Sequence, residues 1–211
     1  MSKATLSFSA HDLGKRHGRA WIWRGMSCSV DAGGTLALLG ANGSGKSSLL
    51  RILCGFDGAS EGELSWSMGD EGLSRELLPG HISYCAPDQS LIHDFTVEEH
   101  LAFHRTCRLP SEDLTLQDMV SIAMLEGNEH RRVGQLSSGM RQRLALTLAF
   151  ATPSAALFLD EPTSHLDAKG RDWYRGLITN HRNERTLVVA SNHDAEEVPS
   201  GAKSVVLGLN A

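Results

Sequence analysis

The spacing of apolar residues along this chain changes period several times, and each change marks an element. Leu6 and Phe8 alternate with polar neighbours, and Ser27 to Val30 alternates again, which is the period of a half-buried strand. Thr35 to Leu39 is a short unbroken apolar run closed by Gly40, as a strand buried on both faces reads. Ser47 to Leu53 takes helical spacing, Glu63 to Met68 returns to alternation, and Thr96 to Arg108 places Val97, Leu101 and Phe103 for a helix. Leu136 to Ala151 predicts a further helix, Ala155 to Leu159 a buried strand, and Arg171 to His181 a helix; Thr186 to Ala190 and Val205 to Leu209 predict two last strands. Strands alternating with helices predict an α/β fold with a mostly parallel sheet. No repeat or Pro/Ser-rich linker divides the 211 residues, so the expectation is a single domain over 1–211.

Composition then removes several classes of function. Lys+Arg 20 against Asp+Glu 25 leaves a net charge of −5, without the basic field of a dedicated nucleic-acid binder, so no nucleic-acid partner is expected. No apolar run approaches the length of a membrane span, and Met1 to Ala10 lacks the charged start and apolar block of a signal peptide. The expected location is therefore cytoplasmic. Cys28, Cys54, Cys85 and Cys107 are scattered without a Cys-x-x-Cys pair and read as reduced thiols.

The chemistry begins at Gly40-Ala41-Asn42-Gly43-Ser44-Gly45-Lys46-Ser47, with Ser48 following. It fits the G-x-x-x-x-G-K-[ST] phosphate loop between a buried strand and a helix, the context that motif requires. Glycines let the backbone curl so that successive N–H groups converge on phosphate oxygens, reinforced by the positive end of the helix dipole. Lys46 would neutralise the β and γ phosphates and Ser47 would ligate magnesium. Downstream, the strand Ala155 to Leu159 runs into Asp160-Glu161-Pro162. Ligands sit at the carboxyl ends of strands in a parallel sheet, so Asp160 would hold magnesium directly or through water. Glu161, pointing differently, would polarise the water that attacks the γ phosphate.

Between these two motifs, Leu136-Ser137-Ser138-Gly139-Met140-Arg141-Gln142-Arg143 resembles the Leu-Ser-Gly-Gly-Gln signature of the ATP-binding cassette (ABC) proteins, the motor subunits of ABC transporters. Ser164 to Asp167 is similar to that family's D-loop, and His193 sits where its switch histidine belongs. The resemblance covers nearly the whole chain. It implies a P-loop NTPase fold with an antiparallel β subdomain and a small helical subdomain, here about 84–143. It also implies ATP and Mg2+ as ligands, and a homodimer or heterodimer of ATPase subunits in which Ser137, Ser138, Gly139 and Asp167 act on the partner's nucleotide. Integral membrane permease subunits complete the implied assembly, with this chain peripheral at the inner face of the membrane. The alternative is a soluble ABC-type switch uncoupled from transport.

Some positions depart from the family pattern. Ser138 and Met140 stand where Gly and Gln are usual, which removes an amide and implies altered dimer closure. The usual Q-loop glutamine falls on Pro87, leaving Gln89 as the candidate magnesium ligand through a shifted loop. The adenine-stacking aromatic falls at His17, with Trp21 and Trp23 as nearby competitors better suited to strand packing. His100, His104 and Cys107 share a helix face at a spacing that permits a transition metal, although a partly solvated helix accounts for the same residues. The Arg131-Arg132 pair and Arg141 with Arg143 read as solvated or dimer-facing.

Overall fold

Alternation at the N-terminus closes into a hairpin in which β1 (Leu6–His17) pairs antiparallel with β2 (Ala20–Val30). The computed structural model describes residues 5–87, 91–108, 114–192 and 197–208. On its other side β1 pairs with β4 (Glu61–Met68), which carries β5 (Glu71–Leu73), so the four-stranded antiparallel sheet runs β2-β1-β4-β5. Phe8 lies opposite Val30 on one neighbour and Trp66 on the other, a cross-strand apolar row that fixes the register.

A second, five-stranded sheet holds β3 (Thr35–Gly40), β6 (Ile82–Cys85), β7 (Ala156–Asp160), β8 (Thr186–Ser191) and β9 (Lys203–Leu207), in the order β6-β7-β8-β3-β9. The pairs β7–β8, β8–β3 and β3–β9 are parallel. Every residue of β7 and β8 is buried, as central strands require. Helix α1 (Lys46–Leu53) touches strands of both sheets, and Leu49, Leu50, Ile52 and Leu53 are each no more than 1% exposed. Burying one such side chain contributes roughly 1.5–3 kcal/mol, so this short helix is held by packing rather than by its own length. Asp160 is level with Ala190, and Ala190 with Leu38, so β7, β8 and β3 deliver their C-terminal ends to one rim.

These strands and α1 belong to one compact unit, Met1–Tyr84 with Ser154–Glu161 and Glu184–Ala211; Cys85–Pro153 and Pro162–Asn183 form the other. Of the segment 84–143 anticipated as helical, Tyr84 falls in the first unit and the rest in the second, which also includes 144–153 and 162–183. That unit is built from α2 (Val97–Cys107), α3 (Leu116–Ile122), α4 (Ser138–Ala151) and α5 (Ala168–His181). Thr96 with Glu99, and Thr115 with Asp118, form reciprocal capping boxes at α2 and α3. Helix α4 is buried almost throughout its second half, and buried Gln142 donates to Pro162 O at 2.9 Å. Trp173 Nε1 on α5 donates to Ile122 O at 2.7 Å, tying α5 to the end of α3.

Candidate active site

Gly40 leaves β3 at φ 156°, and a Cβ there would come within 2.6 Å of Leu207 O and of Ser44 Oγ. Glycine is therefore demanded at this position by packing as well as by backbone conformation. At the other end of the loop Gly45 sits at φ 91° before α1, and a Cβ there would meet Ile22 and the Trp23 ring at 2.6–2.7 Å. Trp23 is 3% exposed and donates its indole N–H to Gly45 O at 3.3 Å, so it forms the floor of the loop. Ala41, Asn42, Gly43 and Ser47 remain exposed, Ser48 is half-buried, and Ser44 is buried. The loop thus keeps an open rim over a packed base.

Lys46 is only 3% exposed because its chain folds back under this loop. Its ammonium donates to Gly40 O at 3.0 Å, to Ala41 O at 3.1 Å and to Asn192 Oδ1, and lies 3.9 Å from Glu161 Oε1. Asp160, at the end of β7, is buried, and its Oδ1 has no hydrogen-bond partner among the described residues. Burial raises the Asp160 carboxyl above the ordinary carboxylate range; the Ser47 hydrogen bond and the Lys46 charge oppose that rise, while Glu161 and Glu197 add to it. Glu161 adopts φ 41° and donates its backbone N–H to Ala190 O at 2.9 Å. This left-handed turn separates the two adjacent carboxylates, leaving Glu161 part-exposed beside Lys46.

An orphaned carboxylate oxygen next to a serine hydroxyl is a donor set that fits a divalent cation, because a hard cation takes oxygen ligands and would repay the desolvation of Asp160. The exposed, glycine-shaped loop at the N-terminus of α1 fits a phosphate chain on the same grounds.

The remaining expected residues divide as follows. His17 is exposed at the end of β1 opposite Ala20. Trp21 is half-buried, with the Arg16 and Arg24 guanidinium groups 4.8 and 4.3 Å from its ring centroid. Gln89 and His193 lie outside the described residues. In the second unit, exposed Ser137 caps α4 by accepting from Met140 N at 3.2 Å, which leaves its own O–H free to donate. Ser138 is exposed and Gly139 half-buried; a Cβ on Gly139 would approach His165 O to 3.0 Å. Asp167 caps α5 by accepting from Gly170 N at 2.8 Å. His100, His104 and Cys107 do not converge: His104 pairs with Thr152 at 2.8 Å, His100 packs edge-on to Phe95 and Cys107 is exposed. No group of three metal-ligating side chains occurs among the described residues.

Two residues were not anticipated. Asn192 reaches Lys46 from the end of β8, and Glu197 adds negative charge near Asp160. For Asn192 the signal was in view, since it immediately precedes His193 where a parallel strand ends.

Residues 23–164 match the family model described as ABC transporter. The chain is 34% identical to the sulfate/thiosulfate import ATP-binding protein of Cucumis sativus, over 98% of this chain and 61% of that protein. The chain therefore spans about 61% of the length of that relative. It is 33% identical to the cytochrome c biogenesis ATP-binding export protein CcmA of Rhizobium etli, over 94% of this chain and 92% of that one. Among solved structures, a putative ABC transporter ATP-binding protein from Pyrococcus furiosus shares the fold with a TM-score of 0.78 at 15% identity, over 95% of this chain and 97% of its own, and the dimeric structure of a bacterial ABC transporter cassette does so with a TM-score of 0.77. That cassette is 22% identical and is matched over 95% of this chain and 94% of its own. A glycine-rich loop closed over Lys46, carboxylates at the end of a parallel strand of the same sheet, and these matches together place the chain in the ABC transporter family, whose cassettes bind ATP.

Proposed function

We propose that this chain is a magnesium-dependent ATPase subunit that dimerises around two ATP molecules and drives separate membrane permease subunits. The observation that carries the reading is the meeting of Lys46, Ser47, Asp160 and Glu161 at one rim of the parallel sheet. Backbone N–H groups of Gly43 to Ser48 and the Lys46 ammonium hold the phosphates, and Ala41 and Asn42 shape the loop's outer wall. Ser47 and Asp160, with Gln89, hold Mg2+, which when bound neutralises developing charge on the phosphate oxygens. Glu161 accepts the proton of the attacking water, and His193 donates a hydrogen bond to the γ phosphate. Ser137, Ser138 and Gly139 meet that phosphate from a second copy, which the positive end of α4 favours, and Asp167 crosses the interface. His17 stacks on adenine.

No helix among the described residues is long and apolar enough to cross a membrane. The proposed location is accordingly cytoplasmic, peripheral at the inner membrane face, with the permease supplied by other chains. CcmA, named as an exporter, and the sulfate/thiosulfate importer are both consistent with such a division of labour.

The test is Glu161→Gln in light scattering with and without ATP and magnesium. Removing the base lowers turnover by about 10²–10⁴-fold and leaves binding, so the expected result is a mass that doubles only with ATP. Ser137→Arg added to this variant abolishes the doubling. ATP binding by a persistent monomer would overturn the two-site reading.

A further inference from the structure

We infer that Asn192 is a positioning residue that holds the Lys46 ammonium in reserve and releases it to the nucleotide, so that it competes with ATP rather than assisting its capture. The inference rests on the proposed nucleotide site and adds a residue to it. A lysine ammonium has three donors, and here each meets an acceptor: Gly40 O at 3.0 Å, Ala41 O at 3.1 Å and Asn192 Oδ1. A phosphate oxygen that reaches Lys46 has to replace one of them.

The three acceptors differ in how readily they yield. The Gly40 and Ala41 carbonyls belong to the backbone, which is held in place by the pairing of Gly40 with Leu207 and by the hydrogen bond from Ser44 N to Ala41 O at 3.1 Å. Asn192 is exposed just beyond β8, and its side chain needs only a rotamer change to withdraw and take its hydrogen bonds from water. Its amide oxygen rather than its nitrogen faces Lys46, because two donors would repel. Lys46 and Asn192 are 146 residues apart, joined by the parallel pairing of β3 with β8. Glu161 at 3.9 Å is beyond hydrogen-bond reach and supplies attraction only.

The experiment is calorimetric titration of the full chain with Mg-ATP, for wild type, Asn192→Ala, Asn192→Ser and Asn192→Asp, with thermal melts of each. Removing the competing acceptor tightens binding, by about threefold to tenfold for Ala. Serine, whose hydroxyl is too short to reach Lys46, behaves as alanine does and stands in if the alanine variant does not fold. Aspartate, an ionised acceptor, weakens binding about tenfold or more. In steady state the Ala variant lowers KM without raising kcat, which separates competition for Lys46 from a contribution to the chemical step. Ala and Ser variants that bind ATP as wild type does, or more weakly, overturn the inference. Wild-type protein that binds no ATP overturns instead the nucleotide site on which it rests.

Discussion

Gly45 carries two constraints that act on the same atom. Its φ of 91° is strained for any L side chain, and a Cβ would run into the indole of Trp23, itself buried and hydrogen-bonded to Gly45 O. Gly45→Ala is therefore expected to lower stability by about 2 kcal/mol and to weaken ATP binding, measured by urea unfolding and calorimetric titration. Gly43 is a contrast: at φ 81° it has open space where a Cβ would stand, so substitution there costs backbone strain without a clash. The spacing of the loop's glycines was legible in the sequence because each turn is local. The identity of the wall behind Gly45 was not, since Trp23 read as a strand residue without showing what its ring would pack against.

Helix α2 shows how an element's surroundings set the chemistry of its side chains. His104 Nε2 lies 2.8 Å from Thr152 Oγ1, whose own proton goes to Leu148 O, so the histidine donates. Burial first, then repulsion from His100 and Arg108, pushes its pKa down to about 4. His100 is lowered in the same direction, chiefly by burial. The folded chain thus resists a proton that the unfolded chain takes up near pH 6.5. Stability conferred by neutral His104 is present above about pH 6.5 and is lost as pH falls toward about 4. Urea midpoints between pH 7 and pH 4.5 are expected to fall for wild type and to fall less steeply for His104→Gln. Helical spacing had placed both histidines on one face, where a metal was conceivable; the packing of that face against Phe95 and Thr152 is what the spacing did not record. Helix α3 and strands β5 and β6 escaped the reading for a different reason, being only 7, 3 and 4 residues long, too short for a period to declare itself.

Across the whole molecule the four cysteines divide by burial. Burial pushes Cys28 up to about 11 and Cys54 up to about 12, Cys85 is also buried, and Cys107 alone among them is exposed. A thiolate-specific reagent at pH 8 is expected to show one fast thiol in the native chain and four in urea, with the fast phase lost in Cys107→Ser. A fast phase that survives this substitution would place another thiol at the surface. Signals local to the chain were enough for the strands ending at Gly40 and Asp160, the glycine-rich loop between β3 and α1, and the helix that follows Leu136. Periodicity and turn chemistry depend on near neighbours, and near neighbours are written in order along the chain. Only the tertiary structure decided that Asn192 meets Lys46, that Trp23 lies beneath Gly45, and that Asp160 is buried with an unpartnered oxygen among the described residues. Those facts follow from strand order and parallel register, which join residues far apart in the chain, and an apolar run states that a strand is buried without stating against what.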